Sequence, residues 1–234
     1  MLAHAESNNA RLREAFPDGF ALDAQHRPHI TLLQCFVAVN DLESLCDAAG
    51  DVIRNANVTS MELHAVRYGY TPGPGMGVAG IWAALTPELS KLQADVVAAA
   101  TPFMIATATI DAFTAGHANP SFDAALIDYV AGFVANGVGA SFDPHVSTGI
   151  AAIDYLDRML AEPFLPFAFA PASAAVYQLG PFGTAARLLK RWDAASRMAR
   201  RRGQAGDPRF RDARDDRWPP RFRAADRQDC CVRQ

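Results

Sequence analysis

The chain has 234 residues, 50% of them hydrophobic and 20% charged, with a formal net charge of −3. That length and apolar content can bury one substantial core or two small ones and exclude wholesale disorder. The 16 Gly and 15 Pro are ordinary numbers and exclude collagen-like or low-complexity chains, and so small a net charge points to neither a nucleic-acid binder nor a membrane-surface protein.

The charge is unevenly spread. Residues 193–234 hold twelve Arg and seven Asp with neither Lys nor Glu, a balance of +5, while residues 1–192 hold ten basic and eighteen acidic side chains, a balance of −8. The expected organisation is an acidic folded domain, 1–192, followed by an Arg/Asp-rich tail, 193–234, that is disordered beyond about Arg202 and uninformative about function. No membrane span is expected, because the most apolar stretches, 96–108 and 164–176, are short or broken by Pro102, Pro166 and Pro171. Cys35, Cys46, Cys230 and Cys231 fit neither a disulfide framework nor a zinc pattern. The start lacks a charged segment followed by an apolar one, which reads as cytoplasmic; the alternative is export, since Ala3-His4-Ala5 before Glu6 has the small-x-small form of a signal cleavage site.

In chain order, 8–16 reads as a short helix and Pro17-Asp18-Gly19 as a turn. Residues 29–39, HITLLQCFVAV, read as a strand buried on both faces. Asn40-Asp41 then caps a helix with an apolar stripe of Leu42, Leu45, Cys46, Ala49, Val52 and Ile53. Strands follow at 58–70 and 78–85, joined by Pro72-Gly73-Pro74-Gly75. Thr86 caps, and Pro87 opens, a helix running to about Ala100. Beyond a loop around Gly116-His117, Ser121 caps a helix through Val134. Residues 142–151 read as extended, 154–160 as helical, 165–169 as extended, and 174–179 as a final strand ending at Gly180-Pro181-Phe182-Gly183. From His29 the order is strand, helix, strand, strand, and from His145 it is the same, which suggests an internal duplication.

Each half opens on the same small motif. Arg27-Pro28-His29-Ile30-Thr31-Leu32 is matched by Asp143-Pro144-His145-Val146-Ser147-Thr148. In a strand, residues two apart share a face, so His29 lies beside Thr31 and His145 beside Ser147. Two such strands side by side bring two imidazoles and two hydroxyls to one place. One imidazole then takes a proton from an attacking water or hydroxyl and the other gives one to the leaving oxygen, while the hydroxyls hydrogen-bond the oxygens where charge gathers. No metal or other cofactor is required. A lone His-x-Ser/Thr carries little information; its recurrence with a preceding Pro and a matching element order is what gives it weight.

With those motifs the chain resembles the 2H phosphoesterases, in particular the bacterial 2′-5′ RNA ligase family and cyclic phosphodiesterase-like proteins. The resemblance covers about residues 16–192 and rests on PHITLL, PHVST and the stretch Val176-Tyr177-Gln178-Leu179-Gly180 with Phe182-Gly183-Thr184-Ala185. It implies an α+β fold of two pseudo-symmetric antiparallel lobes with helices outside and a central cleft. It further implies hydrolysis of a cyclic phosphodiester (a 2′,3′-cyclic nucleotide or RNA end) or making and breaking of 2′-5′ linkages, with His29 and His145 as the acid–base pair and Thr31 and Ser147 as phosphate ligands. The second motif departs from the pattern at Thr148-Gly149, where an aliphatic residue is expected.

Tyr68, Tyr70, Trp82, Phe142 and Tyr177 are aromatic candidates for stacking on a base, of which Tyr68, Phe142 and Tyr177 are put forward. His26, His64 and His117 read as structural or exposed, and Gly73-Pro74-Gly75-Met76-Gly77 as a hairpin turn, since no Lys-Ser/Thr follows as in a phosphate loop. The expected partner is a nucleotide or RNA-end phosphoester, with no membrane, no obligate protein partner, and a monomeric state. Two alternatives differ in class: a non-catalytic protein that binds a nucleotide or phosphorylated metabolite in the same cleft, and an RNA-binding protein driven by the Arg-rich tail.

Overall fold

The computed structural model describes residues 1–24, 26–114, 120–180, 183–193 and 229–233. The architecture is α+β, with two antiparallel sheets and helices packed against them. No helix among the described residues is long and apolar enough to cross a membrane.

The elements are α1 (Leu2–Ala15), β1 (Gln34–Ala38), α2 (Leu42–Ala56), β2 (Leu63–Pro72), β3 (Met76–Ala83), α3 (Pro87–Ala100), β4 (Met104–Ile105), α4 (Pro120–Ala131) and α5 (Phe133–Gly137). They continue with β5 (His145–Ala152), α6 (Ile153–Leu160), β6 (Phe167–Phe169), β7 (Ser173–Leu179), β8 (Ala185–Asp193) and β9 (Asp229–Arg233). One sheet has the order β4-β1-β9-β7-β8 and the other β5-β3-β2-β6. The halves of the chain are therefore exchanged: the β2–β3 hairpin that follows the first motif pairs with the strand of the second.

Three apolar clusters hold these layers. Leu33, just before β1, and Cys35 and Val37 of β1 pack on Leu42, Leu45 and Cys46 of α2 and on Leu89, Leu92 and Val96 of α3. Phe36 meets Phe113 and the α4 residues Leu126 and Val130. In the second sheet, Ala79 and Ala151 pack on Leu12 of α1 and on Leu156 and Met159 of α6. The α2 stripe thus faces the core as its spacing requires. Thr86 Oγ1 accepts the Leu89 N–H at 3.1 Å, with Pro87 in the first turn of α3.

Several boundaries differ from the sequence expectations. Helix α1 starts at Leu2, because Ala5 is buried along with Leu12. Asp41 does not cap α2 with its side chain but ends a short 3-10 turn, Val39–Asp41. Of residues 29–39 only Gln34–Ala38 is regular strand, Ile30 being an isolated bridge. Residues Val58–Ser60 form a 3-10 turn after Asn57, whose φ of 50° ends α2. The strand at Ser173–Leu179 is not the last: β8 follows it as a largely exposed edge and β9 lies between β1 and β7. Disorder is therefore corrected at Asp229–Arg233, which contains the longest apolar run of the tail, Cys230-Cys231-Val232. Residues 194–228, the Gly116-His117 loop and Pro181-Phe182 lie outside the described residues, as does the side chain of Ser121.

Burial pushes the Cys35 thiol up to about 12 from an ordinary value of 9.0. Alkylation at pH 8 should therefore leave Cys35 unmodified in the native chain and modify it in urea; native modification would show that β1 is not packed as described. Because the unfolded thiol ionises first, this group's contribution to stability is present below about pH 9 and lost as pH rises toward 12.

Candidate functional site

The two motifs meet through an antiparallel bridge between Ile30 and Val146. One residue either side of it, His29 faces Ser147 and Thr31 faces His145. Opposite residues of an antiparallel pair project to the same side, so all four polar side chains share one face, while Val146 is 2% exposed on the other. Opposite Cβ atoms lie about 4.5–5.5 Å apart and diagonal ones about 7–8 Å. By that register His29 and His145 are diagonal neighbours.

Both imidazoles are held alike. His29 Nδ1 meets the Arg27 carbonyl at 2.5 Å, and His145 Nδ1 meets the Asp143 carbonyl at 2.8 Å. A carbonyl only accepts, so Nδ1 carries the hydrogen in each ring and Nε2 carries the lone pair of the neutral ring.

The residue after each hydroxyl is also held alike. Asn9 Nδ2 donates to the Thr148 carbonyl at 2.9 Å and to Phe20 O at 2.9 Å, while its Oδ1 accepts from Leu22 N at 3.0 Å. Gln93 Nε2 donates to the Leu32 carbonyl at 3.1 Å and to Gly137 O at 3.0 Å, and its Oε1 accepts from Gly139 N at 3.1 Å. Each amide ties its motif strand to the loop preceding the other motif. The departure at Thr148-Gly149 is a β-bulge: the register with β3 shifts there, and buried Thr148 donates from Oγ1 to Ala79 O at 3.3 Å. A Cβ on Gly149 would lie 2.9 Å from Leu12 Cδ1. Sequence reasoning passed over Asn9 and Gln93, although a glutamine inside the α3 stripe Leu89, Leu92, Val96 was a signal: a polar side chain at a core position needs partners.

On the same face, cross-strand neighbours extend the site. His145 pairs with Trp82, and Trp82 with Arg67. The His145 and Trp82 rings stack at 4.7 Å and 18°, and the Arg67 guanidinium lies 4.8 Å from the Trp82 ring centre. These separations match the spacing of β-strands, about 4.7–4.9 Å, so the three planar groups form a ladder across three strands. Trp82 Nε1 donates to the Asp143 carboxylate, whose own main chain receives His145 Nδ1.

Two aromatic candidates are corrected. Phe142 is 7% exposed in the core under β1, because it ends the turn that closes against α3. Tyr68 lies on the opposite face from Arg67, edge-on to Phe164 at 4.8 Å, since a bulge between Ala65 and Arg67 sets the phase of β2. Tyr177 is half-buried on β7, and both it and Gln34 pair with Arg233, so it stands level with the start of β1. His26 contacts Asp23 at 3.2 Å and stacks on Phe20, and exposed His64 contacts Glu62 at 3.2 Å; His117 lies outside the described residues. The 73–77 segment is a hairpin turn, with Gly73 N–H donating to Met76 O at 2.8 Å and Gly75 at φ 71°. Among the described residues no three His, Cys, Asp or Glu side chains converge as metal ligands.

No protein-family model, no curated protein and no solved structure matches this chain.

Proposed function

We propose that this is a 2H-type phosphoesterase that hydrolyses a cyclic phosphodiester, or acts on a 2′-5′ linkage, by acid–base catalysis between His29 and His145. The observation that carries the reading is the Ile30–Val146 bridge, with the identical Nδ1–carbonyl bonds of the two histidines on either side of it. The exchanged hairpins and the paired Asn9 and Gln93 contacts support a two-lobed, pseudo-twofold arrangement of the 2H kind, with the motifs at its axis.

One imidazole Nε2 removes a proton from water as its oxygen attacks phosphorus. The other Nε2 gives a proton to the ribose oxygen whose bond to phosphorus breaks, and the two rings exchange roles in the reverse direction. Thr31 and Ser147 donate to the non-bridging oxygens, where negative charge rises. The balance of −8 over residues 1–192 favours a small nucleotide over long RNA.

The test is to incubate the folded chain with the four nucleoside 2′,3′-cyclic monophosphates in EDTA and identify the products by phosphorus NMR. Conversion to a single monophosphate isomer is expected. Tight binding of these nucleotides with no conversion would instead identify a binding protein.

Trp82 acts through His145 by the stack. Trp82→Phe keeps an aromatic face, and its kcat should stay within about threefold of wild type; Trp82→Leu should lower kcat about tenfold or more with a smaller change in KM. Equal losses in both variants, or a loss confined to KM, would show that the stack does not position the imidazole.

A further inference from the structure

The reaction as proposed leaves Arg67 without a task, although it stands on the face that carries both motifs. Two strand spacings, about 9–10 Å, separate it from His145 across Trp82. Its neighbours hold it in place without occupying it fully. The guanidinium stacks on Trp82 at 4.8 Å, and its ion pair with Asp143 spans 3.7 Å between side chains that are 55% and 64% exposed. A pair so long and so hydrated contributes little, and it leaves most of the planar donor fork to another anion.

Two glycines make room for this arrangement. Gly69 and Gly80 are cross-strand partners, and Gly80 pairs with Ser147, which faces His29. A Cβ on Gly69 would lie 2.7 Å from Arg67 Nη1 and 2.7 Å from Trp82 Cε3, and one on Gly80 would lie 3.0 Å from Trp82 Cζ3 and 2.8 Å from Val146 O. Glycines side by side weaken a sheet and mark close approach. What approaches here is the indole and the guanidinium, leaning over the row of Ser147 and His29.

Resting on the phosphoesterase reading, we propose that Arg67 receives a second phosphate of the substrate, so that the preferred substrate is a nucleoside cyclic phosphate bearing a 5′-phosphate one ribose away from the reacting phosphorus. A planar guanidinium held by stacking loses little freedom on engaging two phosphate oxygens. In a domain with a balance of −8, a local cation is also what a substrate with two anionic groups requires.

The test has two arms on the full chain, with the fold of each variant checked by circular dichroism. In the first, kcat/KM is compared for adenosine 2′,3′-cyclic phosphate with and without a 5′-phosphate. Wild type should prefer the 5′-phosphorylated substrate by about tenfold or more, Arg67→Gln should show a ratio near one, and Arg67→Lys should fall between. In the second, calorimetry compares adenosine 3′,5′-bisphosphate with adenosine 3′-monophosphate, a readout that needs no turnover. A bisphosphate that binds no more tightly than the monophosphate, or a preference that survives in Arg67→Gln, overturns the proposal. An Arg67-dependent preference for the bisphosphate without turnover of either cyclic substrate supports the phosphate site while refuting hydrolysis.

Discussion

Replacing either His29 or His145 by Ala should lower kcat on a 2′,3′-cyclic nucleotide by about 10²–10⁴-fold, the usual contribution of a positioned acid or base. The two losses should be similar, because the rings are held in the same way and the proposed cycle uses both. The double variant should be little worse than the poorer single one, since removing one half of a proton relay already disables the unit. Ser147→Ala and Thr31→Ala should cost less, about ten- to a hundredfold, because each removes one neutral donor to a charge that the other still meets. EDTA should change none of these ratios. A folded single-histidine variant retaining wild-type turnover would remove that ring from the mechanism.

Asn9→Leu and Gln93→Leu should each destabilise the chain by about 2–4 kcal/mol, read from urea unfolding. Each side chain makes three hydrogen bonds to main-chain groups, and leucine strands two carbonyls and one N–H in a place with little access to water. The neighbouring Asn8 is the control. It is 4% exposed, yet its Nδ2 has no hydrogen-bond partner, so Asn8→Ala should cost about 1 kcal/mol or less. Equal costs at positions 8 and 9 would show that burial, and not the tie to Thr148, sets the effect.

How much of this was legible depends on whether the deciding interaction was local. Helix α2 was readable from its apolar stripe, and α3 from a stripe and a Thr86 cap written within four residues of each other. The motif residues were readable for the same reason, since an i, i+2 pair fixes a shared face once a strand is assumed. Their mutual register was not, because it depends on one bridge between residues more than a hundred positions apart. The face taken by Tyr68 was not legible either, because the bulge between Ala65 and Arg67 inverts the alternation along β2. Strand β8 was missed because its exposed, charged sequence around Arg187, Lys190 and Arg191 has the look of a solvated segment, and only pairing with β7 makes it a strand. The ladder of Arg67, Trp82 and His145 likewise exists only across strands.

Long-range nitrogen NMR of the histidine rings tests, without relying on turnover, whether both imidazoles address one phosphoryl group through Nε2. On titration with a nucleoside monophosphate product, Nε2 of His29 and Nε2 of His145 should shift together with one apparent Kd, while their Nδ1 signals stay those of a donor to a carbonyl. His64, exposed on β2 beside Glu62, should not follow that curve. A response from only one of the two rings, or two different binding curves, would contradict the shared site.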